Sequence, residues 1–109
     1  MESKTPQEFF ETALPARFKP EKAKGIDVTV QINLTGNNPS DWAITIKDQK
    51  IQAVQGTIPE PKLTLKTTVN DFLDLVNGKI SAERAFFSGK INFKGEITTA
   101  LKLKEAGFL

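Results

Sequence analysis

Ile26-Asp27-Val28-Thr29-Val30-Gln31-Ile32-Asn33-Leu34 is the stretch on which the fold turns. Its five apolar residues alternate with four polar ones, the period of two that places every second side chain on one face of a β-strand. A strand that is apolar on one face only needs one covering layer, and its other face can remain in water. Downstream, the Gly36-Asn37-Asn38-Pro39 loop leads to a second alternation, with Trp42, Ile44 and Ile46 against Ala43, Thr45 and Lys47. Asp48-Gln49 then turns the chain into Ile51, Ala53 and Val54, so the three segments read as a meander. After Pro59-Glu60-Pro61, Leu63 and Leu65 alternate with Lys62, Thr64 and Lys66, and Ile91 and Phe93 alternate with Asn92 and Lys94, giving a fourth and a fifth strand.

Helices are expected before and after this sheet. Thr5-Pro6-Gln7-Glu8 is a helix start, with Thr5 as cap, Pro6 at the first helical position and Glu8 in the capping-box position. Phe9, Phe10, Ala13 and Leu14 share one face of that helix, which Pro15 is expected to interrupt. A further turn over residues 19–25 ends at Gly25. Thr68 and Ser81 cap two more helices, which Gly78 and Gly89 terminate, and a last helix begins near Glu96 with Ile97, Ala100 and Leu101 aligned. With Gly107 just past its end, Phe108 is placed to touch Leu103. The expectation is an α+β fold in which Asp27, Gln31, Thr64, Lys66 and Lys94 stay wet on the uncovered face of the sheet.

At 109 residues the chain has room for one core, so residues 1–109 are expected to form a single domain. The chemistry available to it is narrow. Histidine, cysteine and tyrosine are all absent, which removes the commonest general base, the thiol nucleophile and the phenolic acid, along with imidazole and thiolate metal sites. An enzyme is not expected, and no cofactor or metal motif is present. Charges of 15 basic and 13 acidic residues are interleaved, which argues against nucleic acid as a partner. Ser88-Gly89-Lys90 ends like a phosphate-binding loop but lacks the first glycine, since position 84 is arginine. Apolar runs are only a few residues long and the first residues have no signal-peptide character, so a soluble cytoplasmic protein is expected.

All eight phenylalanines lie outside the first four strands. They either pack helices onto the sheet or wall a cavity between the two layers, and pattern alone leaves both readings open. Ala85-Phe86-Phe87-Ser88-Gly89-Lys90-Ile91-Asn92-Phe93-Lys94-Gly95 resembles the signature segment of the sterol carrier protein type 2 family. Three further stretches resemble elements of the same family in the same order: Pro20 to Gly25, Asn33-Leu34-Thr35-Gly36, and Asp71 to Lys79.

The resemblance implies a two-layer domain in which a five-stranded mixed sheet is covered on one face by about five short helices, enclosing an apolar cavity. It implies non-catalytic binding and transfer of a sterol, fatty acid, acyl-CoA or phospholipid. The alternative is a docking module that presents lipid to, or associates with, a lipid-metabolising enzyme. The residues expected to line the cavity are Phe10, Leu14 and Phe18 from the N-terminal helices, Ile32, Leu34, Trp42 and Ile44 from the sheet, and Leu73 and Val76 from the helix after Thr68. Phe87, Phe93, Leu101 and Phe108 complete the set, while Phe86, on the same face as Ala82 and Ala85, is expected in the core. Transient contact with a membrane surface and a monomer or weak dimer are also expected. The terminal Gly107-Phe108-Leu109 does not match the peroxisomal signal of eukaryotic members, which fits a free-standing cytoplasmic protein.

Overall fold

A computed structural model describes residues 2–107, with Ile97 described by its backbone. Five strands, β1 (Val28–Thr35), β2 (Ser40–Lys47), β3 (Lys50–Gln55), β4 (Leu63–Thr68) and β5 (Asn92–Gly95), form one mixed sheet in the order β3-β2-β1-β4-β5. The β1–β4 pair is parallel and the other three pairs are antiparallel. The β2–β3 hairpin is closed by Asp48 and Gln49, both with positive φ, the twist that a two-residue turn between antiparallel strands needs. The alternation places Val30, Ile32, Leu34, Trp42, Ile44, Ile46, Leu63 and Leu65 on one buried face, and the helices cover it.

The helical layer comprises α1 (Pro6–Glu8), α2 (Leu14–Arg17), α3 (Val69–Val76), α4 (Ala82–Phe87) and α5 (Ile97–Glu105). The caps read from sequence are in place: Thr5 accepts from Glu8 N–H, Thr68 from Asp71 N–H and Ser81 from Arg84 N–H. Phe72 of α3 is fully buried and is the centre of the core. Its ring meets Phe9 edge-on at 5.5 Å and stacks on Phe10 at 5.3 Å, and Phe10 stacks in turn on Trp42 at 4.6 Å. Beyond the core, Ser3 and Asn77 exchange two 2.8 Å hydrogen bonds that fasten the N-terminal segment to the end of α3.

Four expectations need correction. Pro15 does not interrupt the first helix: α1 runs through a π-helical turn (Phe9–Ala13) directly into α2. The turn is closed by Leu14 N–H bonding to Phe9 O, and this wider spacing just before Pro15 gives its ring room where a regular turn would clash. Gln31 is not wet; its amide donates to Trp42 O and Gly56 O and accepts from Ile58 N–H, because the loop after β3 folds back over that part of the sheet. Ala43, expected in water, is buried, and it lies next to Gln31 across the β1–β2 ladder. In α5 the buried stripe is Thr99, Leu103 and Ala106 rather than the face of Leu101, which is 61% exposed. Asp27, Lys66 and Lys94 are exposed as expected, and Thr64 is half-buried.

Candidate functional site

The site forms where α4, β5 and α5 meet. Ala85 is the small residue that brings α4 down onto the core, so its neighbours Phe86 and Phe87 swing outward on either side. Gly89, at φ +78°, then reverses the chain, and Lys90 N–H bonds back to Ala85 O. In β5, Phe93 stands opposite Leu65 on the helix-facing side of the sheet, with its ring 5.5 Å from that of Phe86. From the third side, α5 contributes Ala100 and Leu101. These residues and Ala82 enclose a groove of about 200 Å³ whose walls are almost wholly hydrocarbon. A larger depression of about 680 Å³ beside the N-terminal segment has mixed walls, with Glu2, Glu8, Arg17 and Asn77 beside Ala13, Ala16 and Val76, and so carries more charge than the groove.

One ion pair borders the groove. Lys104 of α5 donates to the Glu83 carboxylate of α4, tying the two helices together across it. That hydrogen bond, helped by a backbone hydrogen bond and by the charge of Lys104, holds the Glu83 carboxyl below the ordinary carboxylate range. Because the folded-state value is depressed, the tie contributes fully above the unfolded carboxylate's pKa and is lost as pH falls through the lowered one. The pair is at the surface, so its effect on global stability is small. The expected result is therefore local: Glu83→Gln should speed amide exchange in α5, and acidification through this range should lower the exchange protection factors there, while the melting temperature of the Gln variant stays nearly unchanged. Unaltered exchange in α5 would count against the tie.

The structure divides the cavity-lining set. Phe87, Phe93 and Leu101 come together in the groove. Phe10, Leu14, Ile32, Leu34, Trp42, Ile44 and Val76 are all within 8% exposure and belong to the packed core, with Phe18 and Leu73 half-buried against it. Phe108, and with it the expected contact to Leu103, lies outside the described residues. Phe86 was expected in the core, yet it is 44% exposed and lines the groove, because Ala85 rather than Phe86 occupies the inward position of so short a helix. Ala82 and Ala100 were read from sequence only as members of a helix face, and Glu83 was not singled out. The spacing of Thr99, Leu103 and Ala106 by four and three would have oriented α5 and turned Leu101 outward toward the groove.

Residues 10–106 match the sequence profile of the SCP-2 sterol transfer family. The chain belongs to that family. Among its relatives, peroxisomal multifunctional enzyme A of Dictyostelium discoideum is 32% identical over an alignment of 89 residues that covers 74% of this chain and 20% of the enzyme. Human sterol carrier protein 2 is 29% identical over 69 residues, covering 63% of this chain and 13% of that protein. The chain thus spans a fifth or less of the length of these two relatives. The fold is that of sterol carrier protein 2-like 2 from Aedes aegypti, with a TM-score of 0.72 at 24% identity, covering 90% of this chain and 93% of the other. The family resemblance carried by Ala85 to Gly95 is borne out, as is the five-stranded mixed sheet with its helices. Among the described residues no helix is long and apolar enough to cross a membrane.

Proposed function

We propose that this SCP-2 family chain binds and transfers an apolar lipid, as a single non-catalytic domain in the cytoplasm, and that the groove between α4, β5 and α5 is where the lipid enters. The observation that carries the reading is the groove itself, with Phe86, Phe87, Phe93 and Leu101 presented around walls that offer hydrocarbon and almost nothing polar. A structure of the Aedes aegypti relative is described as palmitated, which favours a fatty acyl chain as one ligand. Among the described residues, the titratable groups on the groove are Glu83 and Lys104, and they are paired with each other. Burying about 14 methylenes at roughly 0.8 kcal/mol each yields on the order of 11 kcal/mol, against an association cost of about 4 kcal/mol or more. Hydrocarbon burial is thus the drive for binding, and it must also offset the cost of parting the closed core.

The closed core behind the groove fits this reading. Taking a methylene as about the volume of a water in the liquid, ~30 Å³, a 15-carbon cavity is about 450 Å³. Left empty, it would cost on the order of 11 kcal/mol at ~24 cal/mol per Å³, comparable to the whole stability of a domain. A ligand-free carrier should therefore be collapsed, with core residues such as Leu73, Val76 and Trp42 separating only as the acyl chain enters. The occurrence of matching segments within multifunctional enzymes supports a second reading, in which the domain presents its lipid to an attached or associated enzyme.

The test is to fill the groove. Ala100 is half-buried on its wall, and Ala100→Trp should occupy the space and weaken binding of a fluorescent long-chain fatty acid more than tenfold while the fold is retained. Undiminished binding in a folded Ala100→Trp variant would place the entry elsewhere.

A further inference from the structure

The Glu83–Lys104 pair stands on a boundary. On one side of it is the apolar groove; on the other is a depression of about 470 Å³ that shares Ala82, Glu83 and Lys104 with the groove. The walls of this depression are mixed, with Arg17 and Ser81 beside Leu75, Val76 and Ile80. Along α5, Lys104 is one turn from Ala100 and Leu101, and along α4, Glu83 is one turn from Phe86 and Phe87. Both helices therefore pass from hydrocarbon to charge at the same end of the groove. An alkyl chain lying along Phe86, Phe93 and Leu101 with its head at that end would meet the ion pair first and the depression behind it. Arg17 adds a second cation there: its guanidinium donates to Val76 O at 3.1 Å and has no ion-pair partner among the described residues.

We propose that this end of the groove holds the head of an anionic lipid, a carboxylate or a phosphate, and that Lys104 changes partner from Glu83 to that head when the lipid binds. The pair is built for exchange rather than for permanence. The Lys104 side chain is 47% exposed and that of Glu83 59%, so the Glu83 carboxylate returns to water at little cost when its partner leaves. Lysine is a compact charge on a flexible stem with three donors, able to reach the new acceptor before releasing the old one. An anionic oxygen can compete with a carboxylate for the ammonium group, because hydrogen bonds between ionised partners are roughly twice as strong as neutral ones. A neutral hydroxyl, as on an alcohol or a sterol, cannot, and would leave the pair closed. The inference rests on the carrier reading and names the class of lipid that this chain selects.

Calorimetric titration of the intact chain with dodecanoate, dodecyl phosphate and dodecanol at neutral pH tests the exchange, since the three ligands share one hydrocarbon chain and differ in the head. The anions should bind more tightly than the alcohol by about two- to fivefold, the size of a partly exposed ion pair. A preference confined to dodecanoate would assign the head as a carboxylate, and one confined to dodecyl phosphate as a phosphate. Lys104→Gln should bring the dissociation constants of anion and alcohol together, and Lys104→Arg should keep them apart. Glu83→Gln, which frees Lys104 from its competitor, should widen the ratio. Equal affinities for anion and alcohol in the parent chain, or a ratio that survives Lys104→Gln, would overturn the inference and leave the carrier reading standing. If none of the three ligands bound, the carrier reading would fall and this inference with it.

Discussion

Replacing Phe72 with alanine should destabilise the fold by about 3–5 kcal/mol, whereas the same change at Phe87 should leave stability within about 0.5 kcal/mol. Phe72 is fully buried at the junction of α3 with the N-terminal helix, meeting Phe9 edge-on and Phe10 face-on. Truncation removes the transfer energy of the ring and leaves a void, and it also dissolves two aromatic pairs worth about 0.5–1.5 kcal/mol each beyond their buried area. Phe87 has almost nothing to lose, because most of its ring is already in water. Phe86, half-exposed against Phe93, should fall between the two. Urea unfolding of the three alanine variants gives the order directly. Comparable losses at Phe72 and Phe87 would mean that the C-terminal end of α4 is packed and not presented. That result would also weaken the assignment of the groove as a point of entry.

The same contrast explains what the sequence could and could not disclose. The sheet was legible because a half-buried strand places an apolar residue at every second position, as in Val28 to Leu34. The helix starts were legible for a similarly local reason: Thr68 and Ser81 satisfy backbone donors three residues along the chain. Gln31 was not, since the groups that satisfy its amide include Gly56 and Ile58, brought over it by a loop whose path depends on the whole sheet. Nor was the division between core and groove. Phe10 and Phe87 are the same residue type on short amphipathic helices, and what separates them is how closely each helix approaches the sheet. In α4 that approach is set by Ala85, a residue too small to stand out in any hydrophobic pattern. The face of α5 was ambiguous because alanines and threonines are interspersed with its leucines, and Thr99 is buried while Leu101 is not.

Gly95 carries the second large expected effect, and it links the family signature to the groove. Its φ is +116°, outside the range comfortable for any residue with a side chain, and it lies opposite Leu63 at the end of the β4–β5 ladder. A methyl group there would stand 2.3 Å from Lys62 O and 3.2 Å from Leu63 Cα. Both are backbone atoms at the entry to the neighbouring strand, so no rotamer change relieves the contact, and the same Lys62 carbonyl already accepts Glu96 N–H at 3.1 Å. Gly95→Ala should therefore cost about 2–4 kcal/mol, the backbone strain of about 1–3 kcal/mol plus the loss of ladder hydrogen bonds as β5 pulls away. Gly89→Ala is the control: its φ is also positive, at +78°, but a Cβ there meets nothing within 4 Å, so only the left-handed penalty of about 1–2 kcal/mol applies. Because β5 holds Phe93 on the groove, Gly95→Ala should weaken fatty-acid binding beyond what its stability loss explains, even at temperatures where the protein remains folded. Chemical denaturation and fatty-acid titration of the two variants separate these effects. If Gly95→Ala and Gly89→Ala lost the same stability, the close approach of β5 to β4 would not be what requires glycine at the end of the signature segment.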